Sequence, residues 1–281
     1  MGSELYRIKD KCFEDGEEFS VFKTSSYCLI QKKGHCGPEL LEFMKEPGRF
    51  ISKVDPVLKD SRTTFAGLIK LGGRNFFLKK YNNKGLRHSL RYLFRLPRPL
   101  KAFRNSWLFT CCGVPVPETF AASCSWKAGL LDDGYIVCEF FTDSVPTLDF
   151  HKVLHNDDKL KNRFAETVMD YLAKLHENGL THGDLKMSNI FVRKKENGDY
   201  SFGFWDLDAA RIGNGAVCTK ERVMELARVI SSFIEIAGRL EIKADMTGST
   251  ELFTGPYCAK SGIEIPQDLL AEKIGEFFDG K

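Results

Sequence analysis

The sequence lacks any run of about 18 or more apolar residues, the length that a membrane-spanning helix requires. Its first residues, Met1-Gly2-Ser3-Glu4, also lack the charged-then-apolar order of a secretory signal. The chain has 281 residues, of which 43% are hydrophobic, and this composition excludes a disordered or fibrous protein. We therefore expect a globular protein of the cytoplasm, with one large core or two modest ones.

Cysteine is present, but without the spacing that a disulfide framework or a zinc site would use. None of the nine cysteines forms a CxxC pair, and several lie in apolar stretches, as Cys111 and Cys112 do. His35 and Cys36 are neighbours that lack two further ligands at zinc spacing. We expect reduced, mostly buried thiols.

Acidic residues are absent between Asp60 and Glu118. The charged residues of this stretch are all cations: Arg62, Lys70, Arg74, Lys79, Lys80, Lys84, Arg87, Arg91, Arg95, Arg98, Lys101 and Arg104. A solvated surface usually mixes both signs, so the stretch indicates an anionic partner, such as a membrane surface, a nucleic acid or a phosphorylated glycan.

A short basic amphipathic helix is predicted within this stretch, over residues 84–98. Leucine and phenylalanine recur there at helical spacing, beside a stripe formed by Arg87, Arg91 and Arg95, and Pro97 and Pro99 end the pattern. We interpret the helix as a docking surface. The alternative is a solvated helix whose arginines pair with carboxylates elsewhere in the fold.

The order of predicted elements favours an α+β fold with two lobes. Predicted strands lie at residues 57–59, 65–71, 75–81, 135–141, 190–193 and 200–205, with hairpin turns at Gly72-Gly73 and Asn197-Gly198. Predicted helices lie at residues 100–112 and about 160–175, and over most of the chain beyond Lys220. We expect an N-lobe over residues 1–141, a C-lobe over residues 142–281 and a cleft between them.

The motif with the most chemical content is His182-Gly183-Asp184-Leu185-Lys186-Met187-Ser188-Asn189. Its spacing is H-x-D-x-K-x-x-N, it follows a predicted long helix, and the predicted hairpin separates it from Asp206-Leu207-Asp208. Any one of these residues alone would be read as part of a turn. Together they resemble the catalytic loop and metal-binding motif of the protein-kinase-like superfamily, and the H-G-D form resembles its small-molecule and sugar kinases.

Phosphoryl transfer explains why these residue types are needed. One carboxylate must align the attacking hydroxyl and accept its proton, a role that fits Asp184. Separate oxygen ligands must hold Mg²⁺ against the phosphates of ATP, and Asn189 and Asp206 fit that role. Lys186 is a candidate for neutralising charge on the transferring group. His182 is expected to brace the loop rather than to perform acid-base chemistry.

The resemblance also implies nucleotide-binding residues in the first lobe. Phe76-Phe77-Leu78-Lys79 is similar to the kinase strand whose lysine contacts the α- and β-phosphates. We prefer Lys79 to Lys80, because successive residues of a strand face opposite sides. Residues 135–141 resemble the segment that links the lobes, where backbone groups near Glu139 and Phe141 would pair with adenine.

Two features of protein kinases are missing from the first lobe. Residues 60–64 contain no G-x-G-x-x-G, so phosphate contacts there would come from backbone N–H groups and hydroxyls. The predicted helix over residues 100–112 contains no Glu or Asp to pair with Lys79, and has only Asn105 or Ser106 near the expected position.

A long activation segment is missing as well, since little chain separates Asp208 from Lys220 and no A-P-E follows. A peptide is therefore the less favoured acceptor. The motifs quoted above, the basic stretch and Gly113-Val114-Pro115-Val116-Pro117 resemble the bacterial lipopolysaccharide core kinases over about residues 55–235.

That resemblance implies an ATP- and Mg²⁺-dependent enzyme that phosphorylates Kdo or heptose of the inner core. It also implies a lipid-linked anionic glycan as partner, a position at the inner face of the inner membrane, and no nucleic acid. Two alternatives stay open. One is a protein kinase, atypical or RNA-associated, or another small-molecule kinase; the other is an inactive nucleotide-binding scaffold, suggested by the missing helix carboxylate.

Overall fold

The computed structural model describes residues 4–35, 37–83 and 95–279. The helices are α1 (Glu4–Ile8), α2 (Pro38–Lys45), α3 (Arg98–Cys111), α4 (Thr147–Asn156), α5 (Asp158–Glu177), α6 (Thr219–Arg239), α7 (Met246–Ser261) and α8 (Gln267–Asp279). The strands are β1 (Phe19–Lys23), β2 (Tyr27–Lys32), β3 (Val57–Ser61), β4 (Thr64–Leu71), β5 (Arg74–Tyr81), β6 (Thr119–Lys127), β7 (Leu130–Glu139), β8 (Leu180–Thr181), β9 (Ile190–Lys194), β10 (Tyr200–Phe204) and β11 (Arg211–Ile212). The fold is α+β, as expected.

The chain forms two compact units. The N-terminal unit comprises Ile8–Leu108 and Pro117–Phe141, and the C-terminal unit contains the described parts of Met1–Arg7, Phe109–Val116 and Thr142–Lys281. The division into lobes at residues 141 and 142 stays a prediction. The segment Phe109–Val116 belongs to the C-terminal unit, because the Phe109 ring contacts His182 at 6.2 Å and the N–H of Phe204 donates to Pro115 O at 2.9 Å.

Seven antiparallel strands form the sheet of the N-terminal unit, in the order β1-β2-β6-β7-β5-β4-β3. The predicted strands correspond to β3, β4, β5 and β7, although β7 begins at Leu130 and ends at Glu139. Both residues of the Gly72-Gly73 turn have positive φ, which explains the paired glycines. Strands β1, β2 and β6 were not predicted.

Helices cover both faces of this sheet. On the α2 face, Leu40 and Phe43 of α2 share a core with Leu78 of β5. On the α3 face, Leu100 and Phe103 of α3 share a core with Tyr81 and Ile136, on the paired strands β5 and β7. Side chains of β5 therefore alternate between two helix-covered faces, as the period of a strand requires.

The C-terminal unit is built around α5 and α6. Asp157 caps α5 by accepting a hydrogen bond from the Leu160 N–H at 2.9 Å, and Gly179, with φ of 77°, follows its end. A cluster of aromatic rings with centroids 5.1–6.5 Å apart joins α4, α5, α6, α7 and β10: Phe150, Phe164, Phe202, Phe233 and Phe253. Strands β9 and β10 form the predicted hairpin, and β8 pairs with β11.

Three further expectations concern thiols, membranes and the basic helix. The described cysteines are free thiols, but only Cys12, Cys28 and Cys124 are buried, so the expectation of mostly buried thiols is wrong. In the described ranges no helix is both long and apolar enough to cross a bilayer. The predicted basic helix over residues 84–98 lies outside the described residues up to position 94.

Candidate functional site

The catalytic-loop motif begins directly after β8 and ends at a 3₁₀ turn, Met187–Asn189, that leads into β9. Gly183 has a φ of 81°, and a Cβ atom at this position would lie 2.6 Å from the carbonyl oxygen of Ala209. No other residue fits this conformation without displacing that backbone. The glycine of the H-G-D sequence is therefore required by close packing against the segment that follows Asp206.

Asp184, Lys186 and Asn189 lie within hydrogen-bond distance of one another. The Asn189 amide donates to the Asp184 backbone oxygen at 2.7 Å and to its carboxylate Oδ2 at 3.2 Å, and Lys186 Nζ lies 3.1 Å from the same oxygen. The side chain of Asp184 is 46% exposed, whereas Asn189 is buried. The amide thus orients a carboxylate that remains accessible from solution.

Backbone hydrogen bonds bring Asp206 next to this cluster. The Trp205 N–H donates to Asn189 O at 3.1 Å, and the Trp205 indole Nε1–H donates to Ser188 O at 2.7 Å. Asp206 itself is exposed and has a φ of 58°, a left-handed conformation that is unfavourable for residues other than glycine. Such strain is typical of positions whose side-chain direction matters for function.

The donor set of Asn189 and Asp206 fits a magnesium ion. Because the Asn189 nitrogen is engaged with Asp184, its amide oxygen is the atom left for a cation. Mg²⁺ typically takes one or two protein oxygens and completes its shell with phosphates and water. Two protein donors therefore suffice, and within the described ranges no group of three or more His, Cys, Asp or Glu could hold a metal.

His182 is fully buried and occupies a bracing position. Its Nε2 lies 3.1 Å from the carbonyl oxygen of Trp205, so Nε2 carries the proton and donates it. Burial lowers the pKa of His182, and its buried Nδ1 makes no hydrogen bond to a described residue. The neutral ring therefore links the loop to the residue before Asp206, as a bracing role requires.

Glu225 of α6 is a buried carboxylate that the sequence analysis did not single out. It accepts hydrogen bonds from the backbone N–H groups of His182, at 3.0 Å, and of Gly183, and from His176 Nε2 at 3.0 Å. Burial alone raises the pKa of Glu225, but these donors outweigh it and the pKa is lowered. Glu225 is thus ionised and fixes the backbone immediately before Asp184.

A chain of buried groups extends this contact towards α7. Since the carboxylate of Glu225 only accepts, His176 donates from Nε2 at 3.0 Å, and its Nδ1 lies 2.7 Å from the Tyr257 hydroxyl. Arg222 donates to the same hydroxyl at 2.8 Å and to Val217 O at 2.7 Å. Burial raises the pKa of Tyr257 to about 12, so it remains a donor.

Helix α6 contacts the catalytic loop at two more positions. Arg228 Nη1 donates to Gly183 O at 2.9 Å, and the hydroxyl of Ser232 accepts from the Met187 N–H at 2.9 Å. Both ends of the loop are therefore attached to one helix. A signal was present in the sequence: Glu225 interrupts an apolar stripe that includes Leu226 and Val229, where a charged residue without a partner would be costly.

In the N-terminal unit, the two candidate lysines lie on opposite faces of the sheet. Lys79 pairs in register with Ile136, so it lies on the α3 face. Lys80 lies on the α2 face, where its Nζ is 3.2 Å from Asp133 Oδ1 and 5.5 Å from the centroid of the Tyr135 ring. Lys80 thus has a structural ion pair on the α2 face, and Lys79 stays the predicted nucleotide ligand.

Glu139 and Phe141 lie at and just beyond the end of β7, the strand paired with β5. The Glu139 N–H donates to Glu118 O at 2.7 Å, so this backbone group is engaged within the N-terminal unit. Lys79, Glu139 and Phe141 all belong to the N-terminal unit, and the catalytic cluster belongs to the C-terminal unit.

The turn between β3 and β4 is tighter than a phosphate-binding loop. The Ser61 hydroxyl donates to Thr64 O at 2.9 Å and accepts from the Thr64 N–H at 3.2 Å. These groups were among the phosphate contacts expected from residues 60–64, and they are engaged with each other. Arg62 and Thr63 are the remaining candidates in this turn for the phosphate contacts that the sequence predicts.

Comparison with known proteins gives one family and one informative structure. The model of the "Lipopolysaccharide kinase (Kdo/WaaP) family" matches residues 57–248. A solved structure described as "WaaP in complex with acyl carrier protein" is similar with a TM-score of 0.60 and 16% identity, and the match covers 89% of this chain and 95% of that chain. At that identity the likeness shows the fold alone. No curated protein sequence matches the chain.

We predict that Glu225→Gln lowers both stability and activity. A glutamine has one acceptor oxygen, so its amide nitrogen would face a backbone N–H that the carboxylate now satisfies. One buried unpaired donor costs about 1–3 kcal/mol, which corresponds to a loss of roughly 2–12 °C in Tm for a unit of this size. Displacement of the loop should reduce kcat by up to about a hundred-fold.

The matched control is Glu235→Gln on the same helix, where the partly exposed carboxylate pairs with the exposed Arg239 at 3.4 Å. Such pairs contribute about 0–1 kcal/mol, so its Tm should match that of the wild type. Calorimetry and steady-state kinetics provide both readouts. A Glu225→Gln protein with wild-type Tm and kcat would show that the carboxylate does not hold the loop.

We also predict that Lys79→Ala weakens ATP binding by about ten-fold or more, because a hydrogen bond to a charged group contributes about 1.5–3 kcal/mol. Lys80→Ala should affect ATP binding little, since Lys80 is paired with Asp133 on the other face. Titration with ATP and Mg²⁺ compares the two variants. The opposite ranking would assign the nucleotide to the α2 face.

Proposed function

The chain belongs to the lipopolysaccharide kinase (Kdo/WaaP) family, and we propose that it transfers the γ-phosphate of ATP to a hydroxyl of Kdo or heptose in the inner core. The family assignment confirms the resemblance found in the sequence. Members of this family are kinases, so the chain is a phosphotransferase that uses ATP with a divalent metal. The proposal adds the acceptor sugar and Mg²⁺.

The observation that carries this proposal is the geometry around Asp184. Its carboxylate is oriented by the Asn189 amide and is accessible to a substrate, and the exposed Asp206 follows Trp205, whose N–H donates to Asn189 O. A base for hydroxyl activation must combine a fixed direction with access to the substrate. An inactive scaffold would have no need to maintain both.

In the proposed reaction Asp184 aligns the sugar hydroxyl and takes its proton as the new P–O bond forms, while the bond from the γ-phosphorus to the β,γ-bridging oxygen breaks and ADP leaves. Lys186, at 3.1 Å from Asp184 Oδ2, places a positive charge where the phosphoryl group arrives. Asn189 and Asp206 would hold Mg²⁺, which neutralises phosphate charge when bound. Lys79 would contact the α- and β-phosphates, with the backbone of Glu139 and Phe141 at the adenine.

The short segment after Asp208 supports a small acceptor. It forms β11 at once and reaches Thr219, the start of α6, without an element on which an extended peptide could align. This favours a sugar over a protein acceptor. The carboxylate missing from α3 favours an inactive scaffold as the second candidate, so a test must separate binding from turnover.

The decisive experiment is transfer of labelled phosphate from ATP to purified inner-core glycolipid, analysed by mass spectrometry. We predict that Asp184→Asn lowers kcat by about 10²–10⁴-fold and that Asp206→Asn abolishes metal-dependent turnover, whereas Asp268→Asn, an exposed acid at the start of α8, has no effect. Label on protein instead of glycolipid would indicate a protein kinase. ATP binding without turnover of any acceptor would indicate a scaffold.

We further propose that the enzyme works at the cytoplasmic face of the inner membrane, docked through its basic segment. Several cations of the acid-free stretch are used within the fold: Arg104 pairs with Asp10 at 3.3 Å, Lys80 pairs with Asp133, and Arg98 lies over the Tyr81 ring at 4.6 Å. Docking therefore depends on Arg87, Arg91 and Arg95. Arg95 is exposed, and the other two lie outside the described residues.

We predict that wild-type protein binds anionic vesicles at low salt and dissociates as salt rises, because exposed charges are screened beyond about 8 Å at physiological ionic strength. Replacement of Arg87, Arg91 and Arg95 by Gln should reduce vesicle binding and phosphorylation of membrane-presented acceptor, with ATP affinity nearly unchanged. Sedimentation with vesicles measures the binding. If the wild type fails to bind at low salt and the triple variant phosphorylates glycolipid normally, the segment is structural.

A further inference from the structure

A polar cleft of about 390 Å³ lies beside the catalytic loop, within the C-terminal unit. Its walls come from β8, from β11 and the loop that follows it, and from the first turn of α6. The volume is within the range of small-molecule sites. None of the roles proposed above uses the side chains of this cleft.

The cleft is preformed, because the loop that closes it is attached at both ends. The Gly213 N–H donates to Gly179 O at 2.8 Å, and the Val217 N–H donates to His176 O at 2.8 Å. Gly179 has a φ of 77°, and a Cβ there would lie 2.4 Å from Gly215 O. The absence of a side chain at Gly179 therefore allows the loop that contains Gly215 to pack against it.

One wall carries a buried hydroxyl whose lack of a partner indicates a ligand. Thr181 is only 4% exposed, and its Oγ1 makes no hydrogen bond within the part of the chain that the structure describes. An unpaired buried hydroxyl is unfavourable, so such a group usually receives its partner from a ligand or from water. Thr181 lines the cleft, which is where that partner would lie.

The charged groups of the cleft are weakly paired. Arg211 Nη2 lies 3.5 Å from Glu221 Oε1, and the two side chains are 65% and 43% exposed. A pair this exposed contributes little, so a ligand can replace it. Together with Asn214, the lining therefore offers a guanidinium, a carboxylate and an amide. The guanidinium can bind an acid group of a ligand, and the carboxylate and the amide can bind hydroxyls.

The cleft is also near enough to the base to hold part of the same substrate. Thr181 precedes Asp184 by three residues, so their Cα atoms are at most about 11 Å apart. Thr181 is paired in register with Arg211 on β11. We infer that the cleft binds the acceptor glycan through an acidic, hydroxylated sugar, with its anionic group on Arg211 and its hydroxyls on Thr181, Asn214 and Glu221.

This inference rests on the proposed function, and a test by binding separates the two. Cys218 is an exposed thiol in the lining, whereas Cys111 is exposed and does not line the cleft. Deacylated inner-core oligosaccharide should slow alkylation of Cys218 in the wild type and leave Cys111 unaffected, as measured by mass spectrometry of one digest. Inorganic phosphate alone should not protect Cys218.

Two variants test the contacts. Arg211→Gln should raise the Kd for the oligosaccharide about ten-fold, whereas Arg239→Gln, an arginine of similar exposure at the far end of α6, should not change it. Thr181→Val should weaken binding without lowering Tm, since it removes an unpaired hydroxyl. A purely structural role for Thr181 would lower Tm and leave binding intact.

The experiments distinguish failure of the proposed function from failure of the proposed acceptor cleft. Phosphorylation of glycolipid without protection of Cys218, or with wild-type Kd in Arg211→Gln, overturns the cleft and leaves the proposed function standing. Equal protection by phosphate overturns the assignment to a sugar. Protection of Cys218 by the oligosaccharide without phosphorylation overturns the proposed reaction and retains the cleft as a glycan-binding site.

Discussion

The buried carboxylate of Glu225 is the constraint on which the catalytic geometry depends. Moving an ion out of water is expensive, and the cost is offset here because the backbone of His182 and Gly183 and the ring of His176 all donate to it. These donors come from segments far away in sequence. The loop therefore has a conformation in which this carboxylate and the two backbone N–H groups are paired, and any other leaves a charge or an N–H buried without a partner.

The same constraint explains why the motif reads H-G-D. With the N–H groups of residues 182 and 183 directed at Glu225, position 183 takes a φ of 81° and lies against the backbone of Ala209. A larger residue would displace the segment that carries Asp206. The glycine thus allows β11, which follows Asp206, to pair with β8. His182 then donates to the carbonyl oxygen of Trp205. The proposed base and the proposed metal ligand are thus positioned by one set of contacts.

Much of this site was predictable because its residues are close in sequence. Asp184, Lys186 and Asn189 lie within six positions, and Asp206 follows a hairpin that Asn197-Gly198 marks; their roles stay predictions until tested. Glu225 could not be found that way, because its partners lie more than forty residues before it.

Strand β6 was not predicted, because its alanines and serines have little preference for strands. They form a strand here because they are buried between β2 and β7. The acid-free stretch around Arg104 indicated an anionic partner, but Arg104 pairs within the fold with Asp10, which is distant in sequence.

Helix α6 also relates the proposed acceptor site to the base. Glu221 lies in its first turn and Glu225 follows four residues later, a rise of about 6 Å along the axis. One carboxylate would hold a sugar hydroxyl, and the other holds the backbone beside Asp184. Because both are on one helix, packed on the aromatic cluster through Phe233, no flexible loop separates them. Catalysis of phosphoryl transfer depends mainly on positioning. On the proposed assignments, a rigid helix holds acceptor and base together and supplies much of what an enzyme without a long activation segment needs.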